Sequence, residues 1–179
     1  MSQTIQTTDT LNAGRIKIND NFALPNFGVW NYNNSLASQS IPLNVWTKVN
    51  NNGAGASTYL GGALSGVTIY DTTNYQFDYT DLSLYDSVDI RFDANVTTTS
   101  ANQEVRVRLL LSVGSLNIPL TFIDNFYKTV GTYPILGLIQ NHIFTNDIKN
   151  NPAQFEIHSD ANFTLATNGW AIKVNKRLV

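Results

Sequence analysis

The chain has 179 residues with a formal net charge of −2; 13% of its residues are charged and 42% are hydrophobic. This charge balance argues against a nucleic-acid partner, because phosphate binding needs a basic surface. The chain contains no cysteine, which excludes disulfides, thiolate catalysis and thiolate zinc sites. The length suits one domain plus an arm, and the lack of any run of about 20 apolar residues predicts no membrane insertion.

The first distinctive element is segment 9–22, which reads DTLNAGRIKINDNF. It resembles the N-terminal segment of many tailed-bacteriophage virion proteins, of the general form T-L-N-x-G-R-x-K-I-N-x-N-F, and this resemblance implies a part of a virus particle. The segment has too little apolar surface to fold alone, so we expect it to order on a partner; a frayed chain end is the alternative. The residues expected to dock on the virion are Leu11, Asn12, Gly14, Arg15, Ile16, Lys17, Ile18, Asn19 and Phe22.

Residues 1–40 as a whole predict an extended docking arm and linker. Pro25 and Gly28 disfavour a helix, and the run 31–40 is rich in Asn and Ser. From residue 41 onward, apolar and polar residues alternate. We therefore place a β domain at residues 41–179.

Two long segments, 87–96 and 104–113, show the clearest strand pattern, because alternate positions in both are apolar. We expect a hairpin loop at 97–103 to join them, with Arg106 opposite Asp93 and Arg108 opposite Arg91. The alternative for this outer face is packing on another subunit, where Arg is enriched. The residues predicted to face the core are Val88, Ile90, Phe92, Ala94, Val96, Val105, Val107, Leu109, Leu111 and Val113.

The rest of the chain predicts further short strands, since its abundant Thr favours strands and its Asn and Ser favour turns over helices. A tight hairpin at 167–169 follows from the pair Asn168 and Gly169, and a short helix is an alternative near 141–149. The expected strands are 45–49, 67–70, 75–79, 118–123, 135–139, 154–158, 163–166 and 170–175. This pattern predicts an all-β fold, a single antiparallel jelly-roll-like sandwich with an extended N-terminal arm.

A second resemblance covers the predicted β domain. The segment IPLNVWTKV at 41–49 precedes Gly-rich turns, the two long alternating strands, and a C-terminal aromatic strand at Trp170. This pattern is similar to the trimeric jelly-roll tips of viral fibres and capsids, akin to the C1q and tumour-necrosis-factor type. The resemblance implies a homotrimer.

Candidate chemical groups are few. His142 and His158 are the two histidines and lie on different predicted elements, so we interpret them as ordinary surface or turn residues. Five aspartates fall between positions 71 and 89, but their spacing matches no calcium loop and Asp is common in turns. The aspartates are Asp71, Asp78, Asp81, Asp86 and Asp89. We therefore predict no catalytic residue, no metal and no cofactor.

The Gly-rich segments 53–57 and 61–66 carry no phosphate-binding lysine and are expected to be flexible turns. Tyrosines cluster near turns together with Trp30, Trp46 and Trp170. Aromatic rings beside Asn and Asp could stack on sugars, although most are expected in the core or at a subunit interface.

The combined interpretation is a non-enzymatic phage virion structural protein, made in the host cytoplasm. In the first hypothesis it is a short tail fibre or receptor-binding appendage, docked on other virion proteins through its arm, with loops that contact a host-surface glycan. The alternative is a capsid decoration (cement) protein that stabilises the phage head. A polysaccharide-degrading enzyme is disfavoured because no acid/base pair stands out.

Overall fold

The computed structural model describes residues 27–61 and 64–177. Within those ranges the protein is built from strands and one short helix, α1. The strands are β1 (Phe27–Asn33), β2 (Gln39–Ile41), β3 (Thr47–Lys48), β4 (Ser57–Leu60), β5 (Tyr70–Asp71), β6 (Gln76–Phe77), β7 (Ser87–Thr98), β8 (Gln103–Leu111), β9 (Ile118–Tyr127), β10 (Thr132–His142), β11 (Gln154–Ser159) and β12 (Phe163–Asn175), with α1 at Asn146–Asn150.

These strands form two facing antiparallel sheets and a small ribbon of β5 and β6. One sheet has the order β10-β7-β12-β1-β4, with β2 also paired to β12, and the other has the order β3-β11-β8-β9. The pairs nest along the chain: β8 with β9, β7 with β10, β3 with β11, and β1 with β12. Nested antiparallel pairs split between two sheets make a jelly roll. The predicted all-β, jelly-roll-like sandwich is therefore confirmed.

The core lies between the two sheets and follows from the alternation in the sequence. The inward residues of β7 from Val88 to Val96 are fully buried, as are Val105, Val107 and Leu109 of β8. Phe92, Phe155 and Trp170 meet at the centre, with ring centroids 5.1 Å and 5.5 Å apart for the pairs that include Phe155. Aromatic pairs at such distances contribute beyond the apolar area that they bury.

The predicted linker at 27–40 is wrong. Strand β1 lies between β12 and β4 within the large sheet, and Trp30 is only 1% exposed. Gly28 serves packing here, because a Cβ at this position would lie 2.7 Å from the Trp30 ring. The sandwich therefore begins no later than Phe27, whereas the prediction placed its start at residue 41.

The predicted hairpin between the two long strands is also wrong. Strands β7 and β8 are consecutive, but β7 belongs to the large sheet and β8 to the small one. Arg106 therefore approaches Glu104 and Asp124 instead of Asp93, and Arg108 pairs with Glu156. Alternation shows which face of a strand is buried and does not identify its partner strand.

A third correction concerns segment 167–169, which is a bulge within the continuous strand β12 and not a turn. Gly169 has φ of 150°, and a Cβ there would lie 2.3 Å from the carbonyl oxygen of Tyr32. The glycine is thus required by the close approach of β1. Glycine with a positive φ occurs both in tight hairpin turns and in β-bulges, so the Asn-Gly pair does not distinguish the two.

Smaller differences concern element bounds. Val113, predicted to face the core, lies beyond the end of β8, and β2 and β4 were not predicted. The helix occupies only Asn146–Asn150 and begins after Thr145, whose side chain accepts a hydrogen bond from the Ile148 amide. Such capping satisfies an amide that the first turn leaves unpaired.

Candidate functional site

The residues predicted to dock on the virion lie outside the described residues: Leu11, Asn12, Gly14, Arg15, Ile16, Lys17, Ile18, Asn19 and Phe22. Their role stays a prediction. The structure does give the place where their segment joins the domain, because residue 26 precedes the first residue of β1.

Strand β1 begins and strand β12 ends at the same end of the sandwich. Phe27 at the start of β1 pairs with Asn175 at the end of β12, Asn175 pairs with Ser87, and Ser87 pairs with His142. These four residues form one row across the large sheet. The segment before Phe27 and the segment after Asn175 therefore extend from neighbouring strands.

Exposed aromatic rings and cations line this end. Phe27 is 37% exposed, and Tyr59, Tyr85 and Phe144 are each more than half exposed. Lys173 Nζ lies 5.7 Å from the centroid of the Phe27 ring, and Arg177 Cζ lies 5.3 Å from that of Tyr85. The four residues of the row are separated by three strand spacings of about 4.8 Å, so the row spans roughly 14 Å. We term this surface the arm-end ledge; it consists of Phe27, Tyr59, Tyr85, Phe144, Lys173 and Arg177.

The ledge is held firmly by the backbone. Tyr85 has φ of 72°, an uncommon conformation for a bulky residue, and its amide donates to the Ile143 carbonyl at 2.7 Å. The adjacent Asp86 is fully buried, and its carboxylate accepts hydrogen bonds from the amides of Ser83 and Arg177 at 2.9 Å each. These contacts fix the Tyr85 ring and the C-terminal segment relative to each other.

One lateral side of the sandwich carries exposed apolar residues around two sheet edges that pair with no further strand among residues 27–61 and 64–177. Strand β9 is the edge of the small sheet and β10 is the edge of the large sheet. Leu136 and Leu138 of β10 are 65% and 70% exposed, and Phe126 of β9 is 59% exposed. We term this side the apolar flank. Long, apolar, unpaired edges are surfaces that proteins normally cover.

The opposite side, where β2 approaches β3, is closed by amides, and we term it the polar flank. Gln39 Nε2 donates to the Lys48 carbonyl at 2.8 Å, and Gln39 Oε1 accepts from the Asn50 amide. Asn51 is fully buried and its Nδ2 donates to the Tyr32 carbonyl at 2.8 Å. These bridges are not evident from the sequence, because the Asn run 50–52 is equally typical of a turn.

The outer face of the small sheet holds the arginine that sequence reasoning misplaced. Arg108 forms an ion pair with Glu156 at 2.6 Å, and its Cζ lies 3.9 Å from the centroid of the Trp46 ring. The His158 ring also packs on Trp46. His142 lies on the other sheet beside Phe144. The two histidines thus contact separate aromatic rings on different sheets.

The aspartates mostly organise turns. The Asp71 carboxylate accepts hydrogen bonds from Asn74 and Thr73, and these bonds lower its pKa below the usual value. Asp78 accepts from the amide and hydroxyl of Thr80. Among residues 27–61 and 64–177, no three His, Cys, Asp or Glu residues form a group that could hold a metal ion. The turn-forming interpretation is confirmed for Asp71 and Asp78.

No family model and no curated protein matches this chain. Among solved structures, the Eiger TNF of S. frugiperda is similar with a TM-score of 0.45 and 6% identity, over 85% of this chain and 93% of that one. A chain of infectious bursal disease virus, Gt strain, is similar with a TM-score of 0.43 and 10% identity, over 85% of this chain. The VP2 subviral particle of the same virus is similar with a TM-score of 0.39 and 11% identity, over 86% of this chain.

This chain spans about a third of those viral chains, covering 32% and 34% of their lengths. At such low identities the likeness concerns the fold alone. In the part of the chain that the structure describes, no helix has the length and apolarity needed to cross a membrane.

Proposed function

We propose that this protein is a structural component of a tailed-bacteriophage virion, a short appendage docked through its N-terminal arm. The observation that carries the proposal is the arm sequence at 9–22, with its resemblance to virion docking segments. The geometry of the domain supports it. The arm joins the sandwich at the arm-end ledge, whose exposed rings and cations suit contact with another protein.

The domain would then project its opposite end away from the particle. That end carries the turns 99–102 and 128–131, which follow β7 and β9. Gly131 and Thr98 are hydrogen-bonded there, and Asn162 accepts from the Thr99 hydroxyl. Polar turns on a rigid scaffold are common places for recognition, so we assign the outward, host-facing role to this end.

We also propose that the domain associates as a homotrimer through the apolar flank. Burying Leu136 and Leu138 against another copy would remove both exposed side chains and the free edge of β10 from water. The polar flank, on the other side of the sandwich, would stay free in such an assembly.

The alternative is a capsid decoration protein, and the spacing between arm and domain favours it. Only residues 23–26 separate the docking motif from β1. Four residues span at most about 14 Å, so the domain would sit directly on the particle surface. Imaging of intact particles separates the two proposals, because an appendage lies on the tail and a decoration protein lies on the head.

Deletion of residues 1–22 tests the docking role. The deleted segment precedes β1, so we expect the thermal unfolding midpoint to stay unchanged while incorporation into particles is lost. A second, full-length variant replaces Leu11, Ile16 and Phe22 by alanine. It should show the same loss of incorporation without any change in chain length. Normal copy number of the truncated protein in particles would contradict the proposal.

A further inference from the structure

The polar flank contains a cleft. It has a volume of about 310 Å³ and lies between segment 34–39, the Tyr75 side chain and strand β12 at Leu165 and Thr167. Ligand clefts typically measure roughly 300–1,000 Å³. The cleft is therefore large enough for a small ligand.

The lining contains no charged side chain and is rich in hydrogen-bonding groups. Asn34 and Gln39 are already engaged: Asn34 Nδ2 donates to the Thr167 carbonyl at 3.1 Å, and Gln39 bridges to Lys48. Their role is to hold the walls in place.

Four other polar groups of the cleft make no side-chain hydrogen bond with any residue of the described ranges. They are the hydroxyls of Ser38, Tyr75 and Thr167 and the side-chain carboxamide of Asn50, whose backbone amide is the group that donates to Gln39. Hydroxyls and amides both donate and accept hydrogen bonds, which is the pattern that sugar hydroxyls need. An anionic ligand would find no cation in the lining, and a cationic ligand would find no carboxylate.

Tyr75 is placed in this wall by an unusual backbone conformation. Its φ is 54°, which is rare for a bulky residue and costs energy unless the surroundings hold it. The surroundings do hold it: Asp71 accepts from the amides of Thr73 and Asn74, and Lys48 Nζ donates to the Asn74 carbonyl at 3.0 Å. A tyrosine ring offers an apolar face on which the C–H face of a pyranose can pack.

From this lining we propose that the cleft binds an uncharged carbohydrate. Tyr75 stacks on the sugar ring, and Asn50, Ser38 and Thr167 bind its hydroxyls. The cleft lies on the side of the sandwich away from β9 and β10. It is thus accessible in an assembly that buries the apolar flank, and its chemistry does not depend on the virion assignment.

Titration of the full-length protein tests this directly. The probes are neutral methyl glycosides of glucose, galactose, mannose and N-acetylglucosamine, with sialyllactose and galacturonate as anionic counterparts. We expect at least one neutral glycoside to bind in the millimolar range or tighter by calorimetry, and the anionic sugars to bind more weakly. No binding by any neutral glycoside, or tighter binding of the anionic ones, would overturn the proposal.

Three variants locate the binding. Asn50→Ala and Thr167→Val remove single polar groups, and Tyr75→Asn removes the ring while accepting the positive φ. Each should weaken binding by roughly tenfold or more, since tenfold corresponds to about one hydrogen bond or one stacking contact. Thr121→Val, an exposed position on β9, is the matched control and should bind as the wild type does.

If the three cleft variants bind the glycoside with the same affinity as the wild type, the proposed binding site is wrong. A melting curve of each variant separates loss of binding from loss of folding. The arm deletion separates this inference from the proposed function, because it should leave glycoside affinity unchanged. Failure of particle incorporation by the full-length protein would count against the virion proposal and not against the cleft.

Discussion

The apolar flank and the polar flank close the same sandwich by different means. Between β9 and β10, Gly137 lets the Phe122 ring pack closely, since a Cβ at Gly137 would lie 2.6 Å from that ring. Between β2 and β3, the amides of Gln39 and Asn51 bridge one segment to another. Near β9 and β10, Leu136 and Leu138 are 65% and 70% exposed. The apolar side chains beside β2 and β3 are less exposed, at 37% for Leu36 and 49% for Leu43 and Val45. The difference indicates that one flank is suited to burial by another copy and the other to contact with water or a polar ligand.

Charge substitution on the apolar flank has the largest expected effect. Replacing Leu136 and Leu138 together by Glu should abolish the proposed self-association, because each leucine contributes about 1.5–3 kcal/mol when fully buried. For two residues the loss is about 3–6 kcal/mol, or roughly a hundred-fold or more in the dissociation constant. Light scattering at micromolar concentration measures the change.

Leu116→Glu is the control for this pair, because Leu116 is 62% exposed but lies in the turn between β8 and β9. It should keep the wild-type mass. A wild-type protein that is already monomeric at micromolar concentration would contradict the proposed trimer.

Loss of a buried amide on the polar flank has the next largest effect. Asn51→Ala leaves the Tyr32 carbonyl and the Gly53 amide without the partner that Asn51 provides. An unsatisfied buried group costs about 1–3 kcal/mol. The Gly53 amide is only part-buried and costs less, so we expect a loss of about 2–4 kcal/mol in the free energy of unfolding. Urea denaturation measures it. The neighbouring Asn52→Ala, whose bonds to Ser35 are exposed, should cost under about 1 kcal/mol.

Raising the pH tests the burial of Tyr32 and Tyr70 beside this flank, and its expected effect on stability is smaller and gradual. Burial raises the pKa of Tyr32 to about 12 from 10.0, and burial also raises the pKa of Tyr70. Above pH 10 the unfolded chain releases these protons while the folded protein retains them. Ionisation of these tyrosines therefore does not lower the free energy of unfolding below pH 10, and it lowers that free energy as the pH rises from 10 to 12.

Tyr32→Phe keeps the ring and removes the ionising hydroxyl, so its melting temperature should fall less steeply over that range than that of the wild type. Identical slopes for the two proteins would show that Tyr32 does not hold its proton in the folded state.

Sequence reasoning predicted which residues of the long strands are buried and missed how the strands pair. Val88, Ile90 and Phe92 are buried as their alternation indicates. The partner of β7 is set by packing between distant segments, which a local pattern does not encode. Strand β1 was missed because Gly28 and the nearby Asn residues have loop propensity, while burial of Trp30 outweighs it.

The candidate surfaces were still harder to predict. Leu136 and Leu138 lie on the outer face of the large sheet, while Ile135 and Ile139 of the same strand face the core. The apolar run 135–139 does not by itself show which of its residues face outward. The cleft depends on the positive φ of Tyr75, which the sequence of that turn does not reveal. Contacts between remote segments set both features.

Thiol labelling compares the two flanks most directly, because the chain has no cysteine and any introduced thiol is unique. Leu138→Cys places a thiol on the apolar flank and Ser38→Cys places one on the polar flank, and both positions are exposed in a single chain. We expect slow maleimide labelling at position 138 and fast labelling at position 38 in the native protein, with fast labelling at position 138 restored by Leu136→Glu. Equally fast labelling at both positions in the native protein would contradict this expectation.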